Sequence, residues 1–365
     1  MFGKVAVKTY LRLKRARLRR SLFPKDITLF VTSRYNSQCE HYFYGKLPND
    51  EDELTDEDLI TVINSFPALN SLCLTGGEPM LRNNILELIG SSISKAQSVT
   101  ICTNGRLEKV AKQICDTFAE SKNRLSFHIS IDGTEKTHDS IRGRGSYRSS
   151  INTMQMVGMK GYQVIGVLTL SKQNLKDIEE VFRNLYGIAA EMRINIVRSA
   201  HDSIWGLPKR KMNLDHTPRS KDIALSNEEL RSARTRLTEV NRQYPLWSQH
   251  NRHLLDAIIS MYQDKTKLFE CLAGRSEAVV YQNGDLSLCE FYKPFLNIRD
   301  YGMDFKKAWR SPSRKKELLF IKNCRCVHSC NLSSGLTLSD DFVLESAESQ
   351  GLYNLLRKRL SRMMS

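Results

Sequence analysis

Nine cysteines are present in the chain, and five of them lie close together in its last third. These five are Cys271, Cys289, Cys324, Cys326 and Cys330. In a cytosolic protein, clustered thiols indicate metal ligation more often than disulfide bonds. Four thiolates suit either tetrahedral zinc or an iron–sulfur cluster, so the residues alone leave both metals open. The surrounding segment has little apolar periodicity, and we therefore expect a bound metal to stabilise its fold.

Three glycine-containing turns could bind a polar ligand. They read Thr75-Gly-Gly-Glu-Pro79, Thr103-Asn-Gly105 and Ser130-Ile-Asp-Gly133. Adjacent glycines let backbone groups approach a ligand closely, and Glu78 could accept a hydrogen bond from an ammonium group. Taken singly, each sequence is typical of an ordinary turn.

The elements that must position these turns alternate along the chain. Apolar runs predict six strands, at Ile27–Thr32, Leu72–Thr75, Val99–Cys102, Leu125–Ile131, Val164–Leu170 and Met192–Val197. Helical spacing lies between them, over 52–66, 82–94, 106–121, 147–160 and 175–187. This alternation predicts an α/β fold, a partial (β/α)6 TIM-like barrel, because six units are too few for a closed eight-fold barrel. Each glycine turn then falls at the carboxyl end of a strand, where parallel sheets bind ligands.

We predict five regions along the chain. A partial barrel over 25–200 is preceded by a basic amphipathic helix over 1–24. Helices and loops over 201–270 connect the barrel to a small cysteine-rich domain over 271–335. A second basic amphipathic helix is expected over 336–365.

Together, in this order and each at a strand end, the three turns resemble the radical S-adenosylmethionine family. The resemblance covers most of residues 25–335. It implies that Gly76, Gly77 and Glu78 contact the methionine moiety of S-adenosylmethionine, with Asn104 nearby. It also implies that Ser130 and Asp132 lie close to the ribose or the carboxylate.

In that family the loop after the first strand reads Cys-x3-Cys-x2-Cys, and its three thiolates hold a catalytic 4Fe–4S cluster. Here the spacing is intact, but only the middle position is a cysteine, Cys39. Tyr35 and Tyr42 occupy the first and third positions. A phenol with a pKa near 10 is a poor substitute for a soft thiolate in an iron–sulfur cluster. The loop therefore predicts a degenerate catalytic site.

The five later cysteines resemble the SPASM/twitch extension of the same family, which holds auxiliary iron–sulfur clusters. Five cysteines are too few for the full SPASM set, so the resemblance implies a single auxiliary 4Fe–4S cluster of the twitch type. Zinc remains the alternative metal.

The chain has a formal charge of +15 over 365 residues, and part of the excess lies at its two ends. Both ends pair an apolar stripe with basic residues, as in helices that lie on anionic membranes. Docking of these ends on the protein's own body is the alternative. No apolar run of transmembrane length and no secretory signal is recognisable, so we expect a cytoplasmic protein, or one that is peripheral to a membrane. No motif for specific nucleic-acid binding is present.

Two functions are consistent with the sequence. The first is a radical S-adenosylmethionine enzyme, impaired at its catalytic cluster, that acts on an unknown peptide, carbohydrate or lipid precursor and takes electrons from a donor when active. The second is a non-catalytic relative that retains the auxiliary cluster and serves as a binding partner or scaffold.

Overall fold

The structure is a computed structural model, and it describes residues 9–16, 21–37, 39, 52–197, 204–213, 222–264 and 271–339. Tyr42 lies outside these residues, as do most of the two basic ends. The strands in the described ranges are β1 Asp26–Thr32, β2 Leu69–Gly76, β3 Ala96–Thr103, β4 Leu125–Ser130, β5 Gln163–Leu170, β6 Glu191–Ile196, β7 Ile204–Trp205, β8 Glu277–Val280, β9 Asp285–Ser287, β10 Leu296–Asn297 and β11 Arg325–Cys326. The α-helices there are α1 Asp56–Ser65, α2 Ile85–Lys95, α3 Glu108–Thr117, α4 Glu135–Arg142, α5 Ser146–Met159, α6 Ile178–Leu185, α7 Asn227–Gln243, α8 Gln249–Asp264, α9 Phe305–Trp309, α10 Pro312–Ile321 and α11 Ser329–Leu336.

The six strands β1 to β6 are parallel and lie side by side in chain order. Each strand has one face covered by helices, because its apolar side chains alternate with polar ones. In β3, for example, Val99 and Ile101 are buried in the main core, whereas Thr100 on the other face hydrogen-bonds to Ser126 of β4 at 3.2 Å. The predicted α/β fold, a partial (β/α)6 barrel, is confirmed.

The sheet continues into the cysteine-rich segment. Strand β8 pairs in parallel with β1, and β9 and β10 follow it antiparallel, so the described sheet has nine strands. The same segment also packs on the first helix of the barrel, where the ring of Phe305 lies 5.0 Å from that of Phe66, edge to face. Residues 277–309 therefore pack directly against the barrel. Four of the five clustered cysteines lie outside the range from β8 to β10, and Cys289 lies within it.

Only a short piece of the N-terminal basic segment is described, and it is helical over 9–16. Its Leu11 is fully buried. Arg15 donates hydrogen bonds to the carbonyl oxygen of Leu338 through two of its nitrogens. This piece therefore packs on the protein's own body, as the docking alternative predicts. Within the described ranges, no helix combines the length and the hydropathy that crossing a membrane requires.

The turn after β2 lies in backbone contact with the loop after β1. The N–H of Gly77 donates to the carbonyl oxygen of Thr32 at 2.9 Å, and the N–H of Glu78 donates to that of Arg34 at 2.8 Å. A Cβ atom on Gly77 would lie 2.1 Å from the Arg34 carbonyl oxygen, closer than any tolerated contact. Only glycine therefore allows these two loops to meet.

We expect Gly77→Ala to lower the free energy of unfolding by roughly 1–3 kcal/mol, the usual range for overpacking a rigid site. Gly90→Ala is the matched control. A Cβ there would meet only the ring of Phe118, at an ordinary 3.7 Å. Because Gly90 lies inside α2, that alanine should stabilise the protein by roughly 0.5–1 kcal/mol. Urea unfolding of the two variants measures both changes, and equal stabilities would contradict the role given to the Gly77 contact.

Candidate active site

The loop after β1 is held by one carboxylate, that of Glu53. This side chain accepts hydrogen bonds from the Ser33 hydroxyl at 2.7 Å, from the Thr32 hydroxyl at 2.9 Å and from the Ser33 backbone N–H. Arg82 forms an ion pair with the same carboxylate at 2.8 Å. Burial acts to raise the pKa of Glu53, but the hydrogen bonds and the Arg82 charge outweigh it and lower that pKa. The loop is thus shaped by protein groups alone.

The side chains of Tyr35 and Cys39, which follow Ser33 in the same loop, meet each other. The Tyr35 hydroxyl and the Cys39 sulfur are 2.6 Å apart and hydrogen-bonded. Burial raises the pKa of the Cys39 thiol, and the nearby Arg142 charge opposes that effect. Two of the three predicted ligand positions therefore meet at one point, where a phenol faces a thiol. Tyr42, the third position, lies outside the described residues.

Glu78 connects two of the predicted turns, and its contact with the methionine moiety stays a prediction. Its carboxylate is fully buried and accepts hydrogen bonds from the Thr103 hydroxyl and the Asn104 N–H, each at 2.8 Å, and from the Met80 N–H at 3.2 Å. Burial raises its pKa to about 7. The carboxylate thus joins the turn after β2 to the turn after β3, and its hydrogen-bonding capacity is used within the protein.

Asn104 forms the next connection. Its side-chain amide donates to the Asn36 side-chain oxygen at 2.7 Å and to the Ser37 hydroxyl at 3.2 Å. The turn after β3 is thereby tied to the loop that carries Tyr35 and Cys39. The resemblance places Asn104 near the methionine moiety, and that placement stays a prediction.

Asp132 is fully buried and neutralises the guanidinium of Arg142, which ends α4. Burial acts to lower the pKa of Arg142, but the Asp132 carboxylate outweighs burial, so that pKa is raised. The second oxygen of Asp132 accepts from the Thr169 N–H at 2.9 Å. Ser130 is half-buried at the end of β4. The Asp132 carboxylate therefore holds Arg142 and β5 in place, and a direct contact with ribose stays a prediction.

The cysteine-rich segment brings sulfur atoms together in a second apolar cluster. Cys289, Cys324 and Cys326 are buried there with Ile204 and Phe291, and Cys271 packs against them. Burial raises the pKa of Cys289, and the charges of Cys271 and Cys326 raise it further. The pKa of Cys324 is also raised, chiefly by its hydrogen bond with Cys326 and then by burial. Each of these thiols therefore loses its proton less readily because of its neighbours. A bound cation would offset the repulsion between the thiolates that form.

The backbone around these thiols also suits a metal site. Hydrogen bonding from the backbone of Phe291 and Tyr292 acts to lower the pKa of Cys289, against the effect of burial. In the described part of the chain, no three His, Cys, Asp or Glu side chains are arranged so that they could hold a metal ion. The donor set nevertheless fits a thiophilic metal, since four sulfurs share one buried cluster. The side chain of Cys330 lies outside the described residues.

Sequence reasoning missed the two residues that hold the start of the loop after β1, Glu53 and Arg82. Neither belongs to a recognisable motif, and Glu53 is 20 residues from the Ser33 that it holds. Their signal is only a carboxylate and a guanidinium at the starts of the helices predicted over 52–66 and 82–94, which many residues share.

Comparison with known proteins shows what the chain is similar to. Residues 35–185 match the radical SAM superfamily. The sporulation killing factor maturation protein SkfB of Bacillus subtilis is 29% identical over 167 residues, which cover 44% of this chain and 39% of SkfB. Fe-coproporphyrin III synthase of Methanosarcina barkeri is 30% identical over 159 residues, which cover 42% of this chain and 38% of that protein. The alignments thus span about two fifths of these relatives' own length.

Solved structures share the fold over more of the chain. The crystal structure of Streptococcus suis SuiB bound to S-adenosylmethionine has a TM-score of 0.61 and 16% identity, covering 81% of this chain and 68% of SuiB. SuiB bound to its precursor peptide SuiA gives the same TM-score at 14% identity, covering 84% and 69%. Residues 35–185 thus match the radical SAM superfamily, in agreement with the resemblance carried by the turns, and the chain shares its fold with SuiB over 81% of its length.

The position of Glu78 predicts an unusual pH dependence. Its folded-state pKa is raised from 4.5 to about 7, so the folded protein binds the proton more tightly than the unfolded chain. The stabilisation from this group is therefore fully present below pH 4.5 and is lost as the pH rises through about 7, by on the order of 3 kcal/mol. Wild-type protein should accordingly lose stability relative to Glu78→Gln over that interval, as measured by urea unfolding at several pH values.

Glu53→Gln is the control, with the opposite sign. Because the pKa of Glu53 is lowered in the folded protein, its stabilisation is present at neutral pH and is lost as the pH falls. For each glutamate, the free energy of unfolding of the variant is subtracted from that of the wild type at each pH. If this difference changes with pH in the same direction for both glutamates, the burial assigned to Glu78 is wrong.

Proposed function

We propose that this chain is an S-adenosylmethionine-binding protein of the radical SAM superfamily that is impaired at its catalytic cluster and acts together with a peptide partner. The observation that carries the proposal is the hydrogen bond between the Tyr35 phenol and the Cys39 thiol, at 2.6 Å. Two side chains at the spacing of cluster ligands point at each other, and one of them lacks sulfur.

The chemistry of these two groups does not fit a catalytic 4Fe–4S cluster. Such clusters are held by thiolates, and a tyrosine hydroxyl gives up its proton only near pH 10. Burial raises the pKa of the Cys39 thiol as well, so at neutral pH the site presents two protonated donors to a cationic cluster. Metal binding would have to remove both protons. We therefore derive no radical step through this loop in its natural sequence.

Binding of S-adenosylmethionine depends less on the cluster loop. The turns after β2 and β3 are rigidly joined through Glu78 and Asn104, and the backbone of Gly76 and Gly77 lies at the strand ends where the family binds the methionine moiety. Because Glu78 uses its carboxylate internally, we expect the recognition of the ammonium group to fall on backbone carbonyls. Ser130 and Asp132 remain the proposed neighbours of the ribose or carboxylate.

A peptide is the partner class that we favour. SuiB, whose fold this chain shares, has been crystallised with its precursor peptide. The chain's charge of +15 would favour an acidic peptide by long-range attraction. A carbohydrate or lipid precursor, and an anionic membrane surface at the basic ends, are the alternatives left by the sequence.

For the four cysteines of this apolar cluster we propose one auxiliary 4Fe–4S cluster, with Cys271, Cys289, Cys324 and Cys326 as ligands. Cys330 is the further candidate. Backbone hydrogen bonding to a ligand sulfur, as at Cys289, is one of the features that tune iron–sulfur clusters. Bound there, such a cluster would bridge the segment before β8 to the segment around β11.

Repair of the catalytic loop tests the main proposal. The double variant Tyr35→Cys and Tyr42→Cys restores three thiols at the family spacing, so after anaerobic reconstitution and reduction with dithionite it should release 5′-deoxyadenosine from S-adenosylmethionine. The natural sequence should release none above background. Tyr35→Phe with Tyr42→Phe is the matched control, which changes both positions without adding sulfur. Equal release by the natural and repaired chains would overturn the impaired-cluster proposal.

Metal counting tests the auxiliary site. After anaerobic reconstitution the natural chain should hold about four irons, the content of a single 4Fe–4S cluster. Cys289→Ala should lose that iron and become more sensitive to protease, and Cys326→Ala with Cys330→Ala should do the same. Cys115→Ala is the control, because Cys115 lies in the core between α3 and the sheet. One zinc without iron would favour the zinc alternative, and iron retained by all variants would exclude these ligands.

A further inference from the structure

The inward face of the barrel carries a second group of sulfur and nitrogen side chains, one layer below the turns described above. Cys73 lies on β2, Cys102 on β3, His128 on β4 and Arg193 on β6. The sulfurs of Cys73 and Cys102 are 3.4 Å apart and hydrogen-bonded. Both are thiols, and both are only half-buried, so a small solute in the barrel can reach them.

Three neighbours favour the ionised form of Cys102. Cys73 shares a hydrogen bond with it, His128 lies directly opposite it on β4, and Arg193 adds positive charge. Burial acts in the opposite direction, but the pKa of Cys102 is still lowered well below its usual value. Cys115 in the same domain shows the contrast, since burial raises its pKa to about 12. A thiolate next to a thiol is the arrangement that thiol–disulfide chemistry requires.

We propose that Cys73 and Cys102 form a redox-active dithiol, in which Cys102 attacks a small peroxide and Cys73 resolves the product to an intramolecular disulfide. The Cys102 sulfur attacks one oxygen of hydrogen peroxide, the O–O bond breaks, and the departing hydroxide takes up a proton to become water. Cys102 is then a sulfenic acid. The Cys73 sulfur attacks it, the S–O bond breaks, and a second water leaves with the Cys73 proton. The two thiols together lose two electrons, which reduce the peroxide.

The register of the strands makes this disulfide a reversible one. Cys73 lies opposite Thr100, so Cys102 is its diagonal neighbour, two residues further along β3. Diagonal partners are farther apart than directly opposed ones. Closing the bond must draw β2 and β3 together at this level, and a disulfide formed under such strain is more easily reduced.

The same shift would reach the proposed S-adenosylmethionine site. Cys73 precedes Thr75 by two residues and Cys102 precedes Asn104 by two, so the disulfide would form directly below both turns. Oxidation should therefore weaken S-adenosylmethionine binding. This coupling rests on the proposed function, whereas the dithiol chemistry does not.

Peroxide treatment of the full chain tests the dithiol. Protein is exposed to hydrogen peroxide, unfolded in an alkylating reagent, and mapped by peptide mass spectrometry. We expect a linked peptide pair containing Cys73 and Cys102, and at least about tenfold more oxidation at Cys102 than at Cys115. In Cys73→Ser, Cys102 should instead accumulate as sulfenic and sulfinic acids. In Cys102→Ser, Cys73 should stay reduced, and Cys115→Ser should behave like the natural chain.

Oxidation of Cys102 no faster than that of Cys115, or oxidation of Cys73 in the absence of Cys102, would overturn the dithiol. Calorimetric titration of S-adenosylmethionine into the reduced and the disulfide forms tests the coupling. Weaker binding to the disulfide form supports it, and equal binding removes it while leaving the dithiol intact. If neither form binds S-adenosylmethionine, the proposed function fails, and the linked peptides still decide the dithiol.

Discussion

The close backbone contact between the loops after β1 and β2 is the constraint on which the rest of the site depends. Gly77 can approach the carbonyl oxygens of Ser33 and Arg34 only because it has no Cβ. The two hydrogen bonds made across this contact extend the pairing of β1 with β2 past the end of the strands. They fix the direction of the backbone after Arg34, and therefore the position of Tyr35.

From this contact a chain of buried polar groups runs across the carboxyl ends of the strands. Glu78 binds the turn after β3, Asn104 of that turn binds back to Asn36, and Glu53 with Arg82 holds Ser33 from the other side. Every member is satisfied by a protein partner, and such networks are rigid when complete. The start of the catalytic loop therefore keeps its shape without a metal. This explains how a chain with a tyrosine at the first ligand position can still bring Tyr35 and Cys39 together.

Much of this architecture could be predicted from the sequence, because local patterns carry it. The strand predicted at Leu125–Ile131 is observed at Leu125–Ser130, and the helix predicted over 147–160 is observed at Ser146–Met159. Helix α4 was not predicted, since its eight residues are mostly polar and lack a long apolar repeat. The pairing of β8 with β1 was also missed, because it joins segments about 250 residues apart and nothing local signals it. The inward position of Glu78 and the meeting of Cys73 with Cys102 likewise depend on tertiary contacts.

Sulfur is distributed unevenly among the three places where this fold can use it. The loop after β1 has one thiol at the family spacing, the cysteine-rich segment gathers four in one apolar cluster, and the barrel interior pairs two. Cys39 has a phenol as its hydrogen-bonding partner and a raised pKa, whereas Cys102 has a thiol, an imidazole and a guanidinium around it and a lowered pKa. Reactivity follows the thiolate, so the most nucleophilic sulfur among these residues belongs to β3 rather than to the loop that resembles the catalytic one. The strand ends carry the surface that we propose for recognition. The dithiol that we propose for redox chemistry lies one layer below them.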